Sequence, residues 1–273
     1  MGKFDGLLLL SDLDGTLLSS DRTISARNRA AVEYFTQNGG LFSIATGRVL
    51  DGMRYFLDEV PVNAPAVIFN GAAIYDFARE QAVALHEIGT DGYELTRELL
   101  DRFPTLGVEV SRLDGEFVAN ATALTERHMR HVRVRHFTCP PEEIPQPWLK
   151  LNLVMEPERI GEVTAYLRTH HEARFFMQHS APHFFEVLPR GANKGAAART
   201  LCGLLGIKRE NLHTVGDGEN DVELLSCTEN SYCPSNSEQI ILKVSKNVLP
   251  DNDHDAIAAL VALLDQTDRR EMK

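Results

Sequence analysis

LLLLSDLDGTL, residues 7–17, is the stretch on which the rest of the chain can be read. Its apolar run shows no alternation, so the strand it forms is buried on both faces, as at the centre of a parallel sheet. The run stops at Ser11-Asp12. Asp12 and Asp14, two positions apart, can face one site once the chain leaves the strand, and Gly15 lets the backbone turn tightly and bring N–H groups towards an anion. Ligand sites of α/β proteins lie at the C-terminal ends of strands, which makes Asp12 and Asp14 the first candidate site residues.

Working outward, residues 25–38 read as a helix with Ser25 as N-cap and Gly39-Gly40 as stop. LFSIAT (41–46) reads as a strand, VLDGMRYFLDEV (49–60) as a helix ended by Pro61, and PAVIFN (65–70) as a third strand. A β-α-β-α-β rhythm predicts a parallel sheet, and right-handed crossovers put the three strand ends on one edge. The rhythm then breaks. Strand-like AAIYDF and AVALHEIG, a helix over 90–103, strands at 106–111 and 115–119, a helix near 122–132, a strand at 149–155, a helix over 157–170 and a hairpin around Ala181-Pro182 predict an α+β insertion. The α/β pattern returns with a helix over 193–206, a strand at 211–217 and a C-terminal helix. The expected fold is therefore α/β, with a Rossmann-like core of residues 1–83 and 188–273 interrupted by an α+β domain of residues 84–187.

Three more polar clusters fall at strand ends or helix starts. Thr46-Gly47-Arg48 combines a hydroxyl with free N–H groups, able to hold a phosphoryl oxygen. Lys194 stands at a helix start, where the dipole disfavours a cation unless an anion is bound nearby. In Gly216-Asp217-Gly218-Glu219-Asn220-Asp221, Asp217 and Asp221 are one helical turn apart and cluster carboxylates for a hard cation such as Mg²⁺. Together the clusters supply a nucleophile, a proton donor, a phosphate cradle, a countercharge and metal ligands, the parts of a phosphoryl-transfer site.

Composition restricts the partners. A formal net charge of −11, without a long Lys/Arg run, argues against a nucleic-acid ligand and requires any phosphate site to be locally positive. Leu7–Leu10 is too short for a secretory segment or a membrane span. Cys139, Cys202, Cys227 and Cys233 match no zinc or thioredoxin spacing and read as reduced thiols of a cytoplasmic protein. His128, His131 and His136 carry no metal-ligand pattern.

DLDGTL (12–17), ATGR (45–48), Lys194 and GDGEND (216–221) together resemble the haloacid dehalogenase superfamily, and specifically its Cof-like phosphatases with a type-2 (C2B) cap. ISARNRAAVEYFTQNGGLFSIATGR, FNGAAIYD and SAPHFFEVLPRGANKG extend the likeness over nearly the whole chain. The resemblance implies a phosphatase for small phosphorylated metabolites, sugar phosphates first, acting through an aspartyl-phosphate on Asp12. It implies Asp14 as general acid and base, Thr46 and Lys194 on the phosphoryl oxygens, and Mg²⁺ on Asp12, the carbonyl of Asp14 and Asp217, with Asp221 orienting a metal-bound water. Gly47, Arg48 and Asn220 would complete the phosphate contacts. Ser235 stands where the branch has Gly before Asn236. Asn70, Arg190, His179, Ser180, His183 and Glu186 are weaker candidates for substrate contacts. A phosphomutase on the same core, or a metabolite-binding regulator without turnover, are the alternatives, and a monomer or small homo-oligomer is expected.

Overall fold

The computed structural model describes residues 2–271 apart from residues 55 and 133, with side chains through residue 266. The chain opens with β1 (Leu8–Ser11), α1 (Ala26–Gln37), β2 (Leu41–Ile44), α2 (Leu50–Arg54) and β3 (Ala66–Ile68), then β4 (Ala73–Asp76) and β5 (Gln81–Leu85). The middle runs α3 (Gly89–Arg102), β6 (Gly107–Arg112), β7 (Gly115–Asn120), α4 (Ala123–Val132), β8 (His136–Thr138), β9 (Lys150–Val154), α5 (Pro157–His171), β10 (Phe175–Ala181) and β11 (Phe184–Pro189). It closes with α6 (Lys194–Leu205), β12 (Leu212–Val215), α7 (Val222–Ser226), β13 (Asn230–Pro234), α8 (Gln239–Val244), β14 (Asn247–Leu249) and α9 (Ala256–Glu271).

The five-stranded core sheet has the order β14-β13-β12-β1-β2, every pair parallel. β1 lies between β2 and β12 and is buried along its length, which is why its sequence is a run of leucines rather than an alternation. Leu9 joins Val32 and Phe35 of α1 and Ile257 and Leu260 of α9 on one face. Leu8 and Leu10 join Ala197 and Leu201 of α6 and Leu224 of α7 on the other. The chain leaves β1 towards β2 but returns on the other side at β12, so a crevice is expected at the C-terminal ends of these strands. β3 meets the sheet through a parallel bridge from Ala45 to Val67 and continues as an antiparallel meander with β4 and β5.

The six-stranded second sheet, β10-β11-β9-β6-β7-β8, is antiparallel except between β7 and β8. Leu95 and Leu99 of α3 and Val163 and Leu167 of α5 pack with its Val108, Leu151 and Val187. Alternate residues of the same strands, Glu109, Ser111, Glu116, Lys150, Asn152, Gln178 and Glu186, are polar and yet buried. The expected domain limits at 83/84 and 187/188 fall inside β5 and β11.

Local expectations differ at two places near the site. The helix expected over 49–60, of which residue 55 lies outside the described residues, is α-helical only as α2; residues 56–59 form turns, with Phe56 N–H donating to Met53 O and Val60 N–H to Phe56 O (both 2.9 Å), and Met53, Phe56 and Val60 still reach the core. The strand expected over 65–70 stops at Ile68, because Phe69 and Asn70 both take positive φ (51°). Among the described residues no helix is long and apolar enough to cross a membrane, and the four cysteines are free.

Candidate active site

β1, β2 and β12 deliver three of the four motifs to one edge, and the start of α6 delivers the fourth. Asp12 directly follows β1, its N–H donating to Val215 O at the end of β12 (2.8 Å). Lys194 is the first residue of α6, whose N-cap Asn193 accepts from Ala196 N–H through Oδ1 (2.7 Å). From there Lys194 Nζ donates to Asp12 Oδ1 and to Asp221 Oδ1, both at 2.6 Å. The Lys194 side chain is fully buried, as are nearly all of Asp12 and Asp221. Asp221 Oδ2 accepts from the N–H groups of Asp217 and Gly218 (3.0 and 3.2 Å), which ties it to the turn it belongs to.

Asp217 is held by Thr16, whose Oγ1 donates to Oδ1 at 2.8 Å. At Gly15 (φ +74°) a Cβ would meet Asp217 Oδ2 at 2.4 Å, so glycine is required both by the backbone and by the neighbouring carboxylate. Asp12, Asp217 and Asp221 each offer a carboxylate oxygen within 4.8 Å of the others. Three carboxylates thus face one ammonium. Burial, with Asp217 and Asp221 beside it, pushes the Asp12 carboxyl well above its ordinary value against the pull of Lys194. Burial and Asp221 push Asp217 up to about 6. Burial opposes the Lys194 charge, but Asp12 and Asp221 outweigh it and raise its pKa. A hard-oxygen donor set with excess negative charge fits a divalent cation, which would restore the ionised carboxylates.

Asp14 points elsewhere. Arg48 Nε and Nη2 donate to its two oxygens at 2.7 and 2.6 Å, a bidentate pair, and the guanidinium lies 4.0 Å from the Phe56 ring centroid. The Asp14 side chain is half exposed, unlike the buried trio, and its carboxylate is not part of their cluster. From Asp14 a cleft of about 530 Å³ opens between Ser19, Ser20, Arg22 and Asn236, Asp251, Asp253. Arg22 Nη1 reaches His131 Nε2 of α4 at 2.6 Å, joining the cleft's rim to the second sheet's helix.

Thr46 is buried, its Oγ1 accepting from Arg48 N–H (3.2 Å) and its carbonyl from Asn70 N–H (3.0 Å). Asn220 Nδ2 donates to Asn70 Oδ1 (3.1 Å), so the second and fourth motifs meet through Asn70. The Ser235 departure leaves Asn236 bridging: its Nδ2 donates to Gly15 O (3.0 Å) and its Oδ1 accepts from Asn252 N–H (2.9 Å).

Of the other candidates, Glu186 reaches this edge, accepting from Asn70 Nδ2. His179 packs against Phe185, Ser180 and Arg190 are exposed, and His183 sits at Met155 O (3.4 Å). His128 bonds Glu109 (2.9 Å), and His136 contacts Val134 O (3.2 Å). The sequence reading passed over Lys150 and Gln178, both of which bond Glu186. The signal for Lys150 was present: in LKLNLV, Lys150 and Asn152 alternate with leucines in a strand that is otherwise apolar.

A parallel α/β core thus carries a buried carboxylate–ammonium–carboxylate cluster at its switch point, where such sheets place their ligand sites. Residues 9–261 match the model of the haloacid dehalogenase-like hydrolases, and the chain belongs to that family. It is 26% identical over 260 residues to the 5-amino-6-(5-phospho-D-ribitylamino)uracil phosphatase YcsE of Bacillus subtilis, covering 93% of this chain and 94% of that one. Its fold matches a haloacid dehalogenase-like hydrolase from Bacteroides thetaiotaomicron with a TM-score of 0.84 at 21% identity, over 94% of this chain and 99% of the other. It also matches the HAD subclass IIB sugar phosphatase BT4131 with a TM-score of 0.82 at 18% identity, over 95% and 99% of the two chains. The chain is accordingly an enzyme of the phosphatase kind.

Proposed function

We propose that this enzyme is a Mg²⁺-dependent cytoplasmic phosphatase that hydrolyses small phosphate monoesters, sugar phosphates first, through a phosphorylated Asp12. The observation that carries the reading is the Lys194 ammonium buried 2.6 Å from Asp12 with Asp217 and Asp221 around it, an arrangement with little structural use unless anions and cations exchange there. The polar lining of the cleft beyond Asp14 supports a hydrophilic leaving group. The six-stranded unit, with its junctions near residues 86 and 190, is proposed to act as a cap over the edge.

Bound at Asp12 and Asp217, with the Asp14 carbonyl, Mg²⁺ would neutralise the repulsion between Asp12 and an incoming phosphate dianion. Asp12 attacks phosphorus, and the bond to the leaving oxygen breaks as Asp14 hands it a proton. Lys194, Thr46, Gly47 and Asn220 hold and neutralise the phosphoryl oxygens while charge shifts. Asp14 then takes a proton from water, the water oxygen attacks phosphorus, and Asp12 is regenerated with release of phosphate. Arg48 must give up Asp14 before the first proton transfer, and the phosphate dianion is the natural competitor for the guanidinium.

A phosphate-release screen over several dozen phosphorylated metabolites, with Mg²⁺ and then with excess EDTA, tests the reading. Mg²⁺-dependent release from sugar phosphates is expected. Full turnover in EDTA would overturn the metal assignment, and a phosphate moved within the sugar instead of released would make the enzyme a mutase.

A further inference from the structure

The second sheet spends its most expensive buried groups on the core. Lys150 and Glu186 lie on neighbouring strands β9 and β11, their side chains 6% and 5% exposed, with Nζ donating to Oε1 at 2.7 Å. A buried ion pair is seldom worth more to stability than apolar side chains of the same volume, so its retention calls for another use. Here both partners reach across to the phosphate-binding edge. Lys150 Nζ also donates to Gly47 O (3.2 Å), and Glu186 Oε2 accepts from Asn70 Nδ2 and from Gln178 Nε2 (3.0 Å). Burial raises the Glu186 pKa, but Lys150 with the bonds from Gln178 and Asn70 outweighs it, so the carboxylate stays ionised.

Asn70 is where the lines meet. Its side chain joins Glu186 to Asn220 of the fourth motif, and its N–H donates to the carbonyl of Thr46 in the second. It takes φ 51° and ψ 33°, directly after Phe69 at φ 51°, a pair of left-handed residues that persists only where the surroundings over-determine it. Gly47 lies so close that a Cβ there would stand 2.8 Å from Asn70 Nδ2.

We propose that Glu186, clamped by Lys150 and Gln178, is a positioning residue for phosphoryl transfer: it fixes Asn70 and, through it, the Gly47 and Asn220 that receive the phosphoryl group, so the cradle is complete only with the second sheet seated on it. This rests on the phosphatase reading and adds that the cap serves the phosphoryl end of every substrate, not only the leaving group. The Glu186 contact to Asn70 and the Lys150 contact to Gly47 break together if the sheet lifts, so opening the cap loosens the cradle and favours release of phosphate.

The test uses the double variant Lys150→Met/Glu186→Gln, which removes the ion pair without stranding a charge, and Glu186→Asp, which keeps the charge beside Lys150 but falls short of Asn70. For each folded variant, kcat/KM is measured with a sugar phosphate and with p-nitrophenyl phosphate, together with inhibition by inorganic phosphate. A loss of about 10- to 100-fold is expected, by the same factor for both leaving groups, with weaker inhibition by phosphate. Adding Asn70→Ala to the double variant should bring little further loss, since the residues act as one unit. Amide hydrogen exchange should quicken at 46–48 and 69–71. A folded variant within twofold of wild type overturns the proposal, as do losses that multiply with Asn70→Ala or fall on one leaving group alone. If the wild type releases phosphate from no ester, the phosphatase reading fails by itself, and unchanged exchange at 46–48 and 69–71 still refutes the positioning role.

Discussion

Replacing Lys194 by Met should weaken the fold and nearly silence the enzyme, with the two effects separable by pH. Lys194 Nζ stands 2.6 Å from a carboxylate oxygen of both Asp12 and Asp221. At an effective dielectric constant of about 20, each contact is worth roughly 6 kcal/mol of gross attraction. Most of that is offset by stripping water from three charges, and removing one partner of a buried pair leaves a net loss of about 3–5 kcal/mol. For a chain of this size that is a fall in melting temperature of roughly 10 °C. The stranded carboxylates then bind protons more readily than in the unfolded chain. The folded form loses stability as pH rises through their raised pKa values, so the deficit in calorimetry should be larger at pH 8 than at pH 5. Turnover should fall about 10²- to 10³-fold, because a preorganised charge on the transferring phosphoryl group is gone. Lowering the pH should restore part of the stability and none of the turnover. A folded Lys194→Met enzyme within threefold of wild-type kcat/KM, or a melting temperature unmoved between pH 5 and pH 8, would refute this assignment of Lys194.

Asp14→Asn should spare a good leaving group in the first step and slow the second step for all substrates, giving a p-nitrophenol burst near one equivalent in rapid-quench kinetics; equal slowing without a burst would exclude Asp14 as the acid. Gly47→Ala should cut kcat/KM at least about tenfold while shifting melting little, since the new Cβ would press on Asn70 Nδ2 at 2.8 Å. Glu116, buried with Oε1 lacking a partner among the described residues, is pushed by burial up to about 8. Between about pH 4.5 and 8 the folded chain keeps a proton that the unfolded chain has lost, so stability falls as pH rises through that window. Glu116→Gln should remove this slope and gain on the order of a few kcal/mol at pH 8 in urea titrations, with no gain at pH 4.

The sequence was most legible where one physical requirement acts on consecutive residues. A strand buried on both faces needs an unbroken apolar run, and Leu8–Leu10 supplies it; Ser25 and Gly206 mark helix ends by their own chemistry, Gly206 in the left-handed conformation (φ 68°). The four motifs were legible for the same reason, each being a few residues at the end of an element. Legibility failed where a residue's meaning depends on a distant partner. Glu186 meets Asn70 from 116 positions away, and Lys150 meets Gly47 from 103, and nothing local tells a buried lysine from a surface one. The short edge strands β8 and β14 escaped because three residues carry too little pattern. Gln81–Leu85 and Phe184–Pro189 read alike as strands, and only pairing assigns one to the β4 meander and the other to β9 and β10.

The most direct measurement is mass spectrometry of the Asp14→Asn enzyme, acid-quenched within the p-nitrophenol burst and digested with a protease. The peptide containing Asp12 should carry the mass of one phosphoryl group, lost on treatment with hydroxylamine as expected of an acyl phosphate. The same peptide from Asp12→Asn should carry none. Phosphate on another residue, or a full burst of p-nitrophenol with Asp12 unmodified, would contradict the covalent mechanism.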